Sequence, residues 1–394
     1  MEHKKIAYIL GSFPGGTPPF IINEIKGVQK EGIEIIVCPI HKRDISGRDA
    51  NINGIKTLYA DPIFSPKIMM AHFYYLFRKP IIYFKLLLRN KVFGGKKIFW
   101  EGVYYARAME KMGMRHIHAH FAWSAADCAR IINKLTDIPF SLTAHQSDIH
   151  RFPERLSEKL EDAKFILTCT RGNKEYLAKK YGEKIGGKIS VIYHGIDLSQ
   201  FSPDIRKKEK DIDILSIGSL IKCKGFEYLI EACAQIKDRG LFRKCIIVGE
   251  GEDKDSLEAL IWRLGLSDKM EIKGPVSHSE VTALYERAKS FILPITIIDG
   301  APHGVPNVLA EAMAMGLPVI TTHVPHIPEL IENNKNGLLV VDKNLRELAD
   351  AIGEILSNEN LRSRLGEEAR TKIISDFDGK IFTRRIADLF LQCA

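Results

Sequence analysis

The sequence predicts an α/β protein built from two doubly wound parallel-sheet domains. Three observations carry this. Short apolar runs alternate with longer segments of helical period, the alternation comes as two series, and a charge-dense stretch containing proline separates them. A chain of 394 residues suits about two domains, and 45% hydrophobic residues supply apolar side chains for two cores.

The first series of runs is "KIAYILG" (5–11), "EIIVCPI" (34–40), "IKTLY" (55–59), "HIHAH" (116–120), "PFSLTAH" (139–145), "FILTCT" (165–170) and "ISVIYHG" (189–195). The second is "ILSIG" (214–218), "CIIVG" (245–249), "MEIKG" (270–274), "SFILP" (290–294), "PVITT" (318–322) and "GLLVV" (337–341). Between them "DLSQFSPDIRKKEKDID" (197–213) reads as a linker. One domain is expected over 1–203 and the other over 204–375, with a C-terminal helix over 376–394 packing back on the first.

Open α/β sheets bind ligands beyond the carboxyl ends of their strands. The chemically suggestive residues fall there. "GSFPGGTPPF" follows the first strand, His118 and His120 end the fourth, and His145 and Asp148 follow the fifth. In the second series "GSLIKCKG" and "GEGED" follow the first two strands, and "DGAPHGVPNVLAEAMAMG" (299–316) follows "SFILP". Two domains presenting these edges to one another make a cleft.

Gly15 and Gly16 allow close backbone approach to a phosphate or sugar, though taken alone the motif reads better as an ordinary turn. The dinucleotide spacing is absent there, and "GEGEDK" (249–254) puts Lys254 in its third glycine place, so NAD is not expected. "GEKIGGKI" (182–189) carries Ile189 where a P-loop needs a hydroxyl, and reads as a loop. "DID" (211–213) reads as solvated linker rather than a metal-binding pair. Lys224, after a strand and before a helical segment, has the place of a diphosphate-binding cation or of a surface lysine. A helix beginning near Pro306 offers free N–H groups around Asn307 and Val308, with Glu311 one turn on along the same face. A carboxylate there can accept hydrogen bonds from ribose hydroxyls. His118 and His120 alternate along one strand face as ligands, bases or satisfied core residues; with no third clustered ligand, a metal is the weakest of these. Seven scattered cysteines without a C-x-x-C pair point to a reducing compartment. No secretory signal is expected before a first strand this close to Met1, and no run reaches the roughly 18 apolar residues of a spanning helix.

Together the segments "FPGGTPPFIINEI", "HAHFAWSAADCARII", "TAHQSDI", "VIYHGID", "GSLIKCKGFEYLIEA", "IVGEGEDKDSLEALI" and "NVLAEAMAMGLPVITT" resemble, in order, the family-4 retaining glycosyltransferases. The resemblance covers nearly the whole chain. It implies the GT-B fold of two Rossmann-like domains and sugar transfer from a nucleotide-sugar to an acceptor hydroxyl with retention, without cofactor or metal. It further implies that Gly15 and Gly16 approach the donor diphosphate, His120 contacts the transferred sugar and Lys224 binds the diphosphate. Glu311 then holds the ribose, and the N–H groups of Asn307 and Val308 hold phosphate. Ser219 and Gly249 are expected on the donor side, His145 and Asp148 on the acceptor side. Two departures stand out: Ser219 replaces the arginine usual after the glycine of the first C-domain strand, and His303 replaces a glutamate common eight residues before the helix Glu. They favour the alternative of a catalytically weakened, nucleotide-sugar-binding partner subunit. A GT-B epimerase lacks motif support.

The net charge of +8 is concentrated. Residues 64–111 hold ten Lys/Arg and two acids, interleaved with aromatic and aliphatic side chains. Such a segment suits a helix pair lying on an anionic membrane surface, with core packing as the competing explanation. The protein is then expected to be cytoplasmic and peripheral on the inner face of the cell membrane. A glycan or polyprenyl-linked acceptor fits that location; nucleic acid does not fit the interleaved pattern.

Overall fold

The structure, a computed structural model, describes residues 4–41, 54–89, 95–203, 210–298 and 304–393. The chain divides into two compact units, Met1–Tyr193 with Lys380–Ala394, and His194–Gly379. The division therefore falls at Tyr193/His194, ten residues before the expected 203/204.

The first unit holds β1 (Lys5–Ser12), β2 (Glu34–His41), β3 (Lys56–Thr57), β4 (His116–His120), β5 (Phe140–Ala144), β6 (Ile166–Thr168) and β7 (Ile189–Val191) in one parallel sheet of order β3-β2-β1-β4-β5-β6-β7. The second holds β8 (Ile212–Ile217), β9 (Cys245–Val248), β10 (Met270–Lys273), β11 (Ala288–Leu293), β12 (Val319–Thr322) and β13 (Leu338–Val340), ordered β10-β9-β8-β11-β12-β13. Helices cover both faces of such sheets, which is why their strands read as unbroken apolar runs rather than alternating ones. All six residues of β8 and all five of β4 are buried. In each sheet the strand order reverses beside the first strand, between β1 and β4 and between β8 and β11. Loops leaving the carboxyl ends at such a reversal diverge and open a crevice, the usual ligand position of this architecture.

Five helices of the first unit matter below: α1 (Pro19–Lys30), α2 (Pro66–Arg78), α3 (Pro80–Leu88), α4 (Lys96–Met112) and α5 (Ser124–Thr136). Ser65 caps α2 by accepting a hydrogen bond from the Ile68 N–H, and Pro80 both ends α2 and begins α3. The helix Gly379–Cys393 lays Phe390 against Tyr8, His116, His118 and Phe165.

Three expectations are corrected. The pair "DID" is not solvated linker. Ile212 and Asp213 begin β8, and buried Asp213 accepts from Lys289 Nζ (2.7 Å) and from the Arg243 and Lys244 N–H groups (2.7 and 3.1 Å). Those donors satisfy a carboxylate that apolar neighbours alone exclude. Within "GEKIGGKI", Glu183–Gly186 form a helical turn rather than a loop. The segment 64–111 does not behave as one surface element: α4 is a core helix, burying Ile98, Phe99, Val103, Tyr105, Ala106 and Met109. No helix among the described residues is long and apolar enough to cross a membrane.

Candidate functional site

In the second unit the expected donor residues cluster around the β8–β11 reversal. After β8 the chain makes a single turn, Lys222–Lys224, stopped by Gly225 at φ +68°. A Cβ on Gly225 would stand 1.9 Å from the Pro294 carbonyl oxygen, so only glycine lets this turn lie against the chain leaving β11. The Thr296 N–H also donates to the Cys223 carbonyl (3.0 Å). Gly249, at the end of β9, faces the same requirement: a Cβ there would sit 1.9 Å from the Gly218 oxygen. The loops carrying Ser219 and Gly249 are tied by the Leu220 N–H donating to the Glu250 carbonyl (2.9 Å).

Lys224 is half-buried, and burial holds its ammonium below the usual lysine range; only the neighbouring Cys223 opposes the shift. No carboxylate pairs with it among the described residues. A partly desolvated cation without a partner is costly unless an anion completes it. Farther on, a helix runs Asn307–Ala314 with Pro306 as its N-cap and no side-chain cap, leaving its first N–H groups for a ligand. Glu311 lies on this helix. Burial raises its carboxyl, and a hydrogen bond from Tyr285 Oη to Oε2 (3.1 Å) opposes the rise. The fully buried Tyr285 hydroxyl shares its proton with the Val308 carbonyl (3.2 Å), so it ties the acid to its own helix. Sequence reasoning missed Tyr285. Thus Ser219, Lys224, Gly249, Asn307, Val308 and Glu311 lie at the same edge of one sheet; His303 lies outside the described residues.

In the first unit Gly16 turns at φ +77° before α1, with Gly15 beside it. The β1–β4 register puts Tyr8 beside His118, and the β4–β5 register puts His118 beside Ser141 and His120 beside Thr143. Both nitrogens of His118 are engaged, Nδ1 with Ser141 Oγ (2.8 Å) and Nε2 with Thr143 Oγ1 (3.0 Å). Burial first, then His120, His116 and His145, push it well below the usual histidine range, so it is neutral. His120 Nε2 and Tyr8 Oη both bond Glu24 Oε1 at 2.9 Å. Glu24 was also missed, though it is the one acid between Glu2 and Glu31 and lies on the helix that follows the glycine loop. Glu24, His118 and His120 bring one ligand atom each within 4.8 Å of one another, but Ser141 and Thr143 already engage both nitrogens of His118, and Glu24 engages Nε2 of His120.

The acceptor-side pair is more structural than its sequence position implies. Asp148 Oδ2 accepts from the Ala122 N–H (2.8 Å) and the His145 N–H (3.0 Å), and Oδ1 from Ser147 (3.1 Å). Burial pushes Asp148 up to about 6 against those three donors. Its carboxylate fastens the end of β4 to that of β5. His145 stacks against His120 (5.8 Å) and tilts against Phe121 (4.3 Å), which stacks on Trp123 (5.7 Å).

The basic segment keeps one surface feature. α2 turns Ile68, Ala71, His72 and Tyr75 inward, and α3 turns Tyr83 and Leu86. His72 Nδ1 meets Tyr83 Oη at 2.9 Å and joins the two helices. Outward, α2 shows Met70, Phe73 and Phe77, and α3 shows Ile81, Phe84 and Leu88, with Phe77 80% and Ile81 78% exposed. Residues 62–100 contain no Asp or Glu, and Lys67, Arg78, Lys85 and Arg89 lie on the same two helices or at their ends.

Comparison with known proteins agrees across both halves. Residues 14–200 match the family described as Glycosyltransferase Family 4, and residues 199–372 match Glycosyl transferases group 1. The chain is 35% identical over 206 residues to the putative colanic acid biosynthesis glycosyltransferase WcaL of Escherichia coli K12. That match covers 51% of this chain and 50% of that protein, so the chain spans about half the length of this relative. The amylovoran biosynthesis glycosyltransferase AmsK of Erwinia amylovora is 25% identical, covering 99% of this chain and 100% of its own. Among solved structures, a glycosyltransferase from Rickettsia africae superposes with a TM-score of 0.75 at 19% identity, covering 100% and 99% of the two chains. Anabaena Alr3699/HepE, crystallised with UDP and glucose, superposes at 0.71 with 18% identity, covering 99% and 100%. These likenesses establish the two Rossmann-like parallel-sheet units as those of the GT-B fold.

Proposed function

The chain belongs to the group 1 and family 4 glycosyltransferases, and on that premise we propose that it moves a sugar from a UDP- or GDP-sugar to an acceptor hydroxyl with retention of configuration. The observation that carries the reading is Lys224: a half-buried cation with no carboxylate partner among the described residues, beside the chain that leads to a helix N-terminus. Charge develops on the leaving diphosphate during transfer, and a fixed ammonium with aligned N–H groups stabilises it. Glu311, placed one helical turn past those N–H groups, accepts the ribose hydroxyls. His303 meets the transferred sugar or its phosphate. The diphosphate is neutralised by protein groups in this scheme, so no metal is required.

The acceptor is a growing cell-surface polysaccharide or polyprenyl-linked glycan, and the work takes place on the inner face of the cell membrane. The relatives named for colanic acid and amylovoran synthesis support the first part. The acid-free apolar face of α2 and α3 supports the second. Ser219, in the place of the family arginine, favours a second reading in which the chain binds nucleotide-sugar and has lost most turnover. Calorimetric titration with a panel of UDP- and GDP-sugars, followed by slow donor hydrolysis, tests both. Binding with hydrolysis supports the enzyme, binding alone supports the partner subunit, and absence of binding rejects both.

A further inference from the structure

The rings at the carboxyl ends of β4 and β5 form a continuous ladder from the interior of the first unit to its surface. His120 and His145 are buried, Phe121 is half-buried, and Trp123 and Phe152 are 38% and 51% exposed. Ring centroids follow one another at 5.8 Å from His120 to His145, 4.3 Å to Phe121, 5.7 Å to Trp123 and 6.3 Å to Phe152. Phe121 and Trp123 lie within 17° of parallel. Arg151 stands over Phe152, its guanidinium carbon 5.3 Å from the ring centroid.

The backbone that carries the ladder is strained and braced. Phe121 has φ +70°, a left-handed conformation that is costly for a bulky side chain. Its N–H donates to the Thr143 carbonyl (3.1 Å). At Ala122, between Phe121 and Trp123, buried charges hold both backbone polar groups. The Ala122 N–H donates to Asp148 Oδ2 (2.8 Å), and its carbonyl accepts from Lys159 Nζ (2.7 Å). Lys159 Nζ also lies 3.2 Å from the buried carboxylate of Asp127. None of this buries the two outer rings, which stay in water. Exposed aromatic side chains fixed by a rigid support at a ligand edge mark a binding surface rather than a core.

We infer that Phe121, Trp123 and Phe152 form a stacking platform for pyranose rings of the acceptor glycan, leading outward from His120. The inference rests on the glycosyltransferase reading, in which the family resemblance sets His120 against the transferred sugar. A pyranose carries C–H groups on its faces and hydroxyls around its rim. The C–H groups are attracted to the negative face of an aromatic ring, and Arg151 offers N–H donors to the hydroxyls. Both the platform and the sugar ring are rigid before they meet, so stacking them orders few torsions. An isoprenoid chain would lose freedom at many bonds on such a flat surface, and its hydrocarbon gives Arg151 nothing to bind.

The test uses the full chain with saturating UDP or GDP and two probes. One is a set of short oligosaccharides cut from the surface polysaccharide of the cells that make the protein; the other is farnesyl phosphate. Saturation-transfer NMR should show magnetisation passing from aromatic side chains to sugar C–H protons. Trp123→Leu, which keeps apolar bulk without a ring, should weaken oligosaccharide binding about 10-fold. Trp123→Phe should recover most of that loss, and Phe152→Ala should weaken binding by a smaller factor. Tm and nucleotide affinity should stay at wild-type values, because Trp123 and Phe152 face water and the proposed nucleotide residues lie in the second unit. Should Trp123→Leu lower Tm, Phe152→Ala decides. Wild-type oligosaccharide affinity in Phe152→Ala, or in a folded Trp123→Leu, would overturn the inference. So would a wild-type chain that binds nucleotide but no oligosaccharide, whether or not it takes up farnesyl phosphate. A wild-type chain that binds no nucleotide and no nucleotide-sugar would overturn the glycosyltransferase reading itself.

Discussion

Replacing Lys224 by methionine keeps the apolar stem and deletes the charge. In the folded protein the ammonium is partly desolvated and has no carboxylate partner among the described residues, so its removal takes away a penalty and breaks no ion pair described there. The Tm of Lys224→Met should equal or exceed that of wild type. A bound diphosphate reverses the balance. One charge-assisted hydrogen bond contributes about 1.5–3 kcal/mol, which is roughly 10- to 150-fold in Kd. Calorimetry with UDP and GDP at neutral pH measures this directly. The pH dependence supplies a second sign. Burial lowers Lys224 below its ordinary 10.5, so between the two pKa values the unfolded chain carries more protons than the folded one. Its penalty on stability is therefore full below the folded-state pKa, fades as pH rises from there to the ordinary 10.5, and is gone above it. Nucleotide binding runs the other way, because it needs the ammonium. Affinity should decline as pH climbs through the folded-state pKa, and Lys224→Met should lack that component. Equal Kd in both proteins at neutral pH, with the same alkaline decline, would refute the assignment.

Glu311→Ala should weaken UDP or GDP at least tenfold and leave inorganic pyrophosphate unchanged, because its proposed partner is ribose; equal losses for both ligands would move Glu311 off the ribose. Turnover should survive exhaustive chelation with EDTA, measured by nucleotide release; its abolition, restored by a divalent ion, would assign a metal to the reaction. Phe77→Glu with Ile81→Glu should abolish sedimentation with phosphatidylglycerol vesicles at unchanged Tm, since both side chains already face water and each apolar anchor buried in lipid is worth about 1.5–3 kcal/mol. Binding of wild type should also weaken with salt, and equal partitioning of wild type and variant would reject the membrane role.

The strands were legible because parallel sheets covered on both faces demand apolar runs. "HIHAH" and "ILSIG" fall on β4 and β8 for that reason. The candidate ligand residues followed from the rule that loops at the carboxyl ends of the strands bind, which needs strand order but no side-chain geometry. What stayed hidden depends on contacts across the chain. Asp213 looked like linker because its partners, Lys289 and the backbone at 243–244, are far away in sequence. Glu24 looked like an ordinary helix acid until the β1–β4 register placed Tyr8 and His120 against it. In "PKIMMAHFYYLFRKPIIYF" both helix faces are apolar, so periodicity could not say which one meets the core. Packing on α4 decides: His72 lies 4.0 Å from the Trp100 ring and Phe77 points outward.

The most direct test of the central claim follows the anomeric protons by NMR while the purified chain is incubated with each UDP- and GDP-sugar. At least one donor signal should decay with release of nucleoside diphosphate, and the first-formed product should carry the donor's own anomeric configuration before mutarotation. A first product of the opposite anomer would contradict the retaining mechanism, and no decay and no binding of any donor would contradict the glycosyltransferase itself.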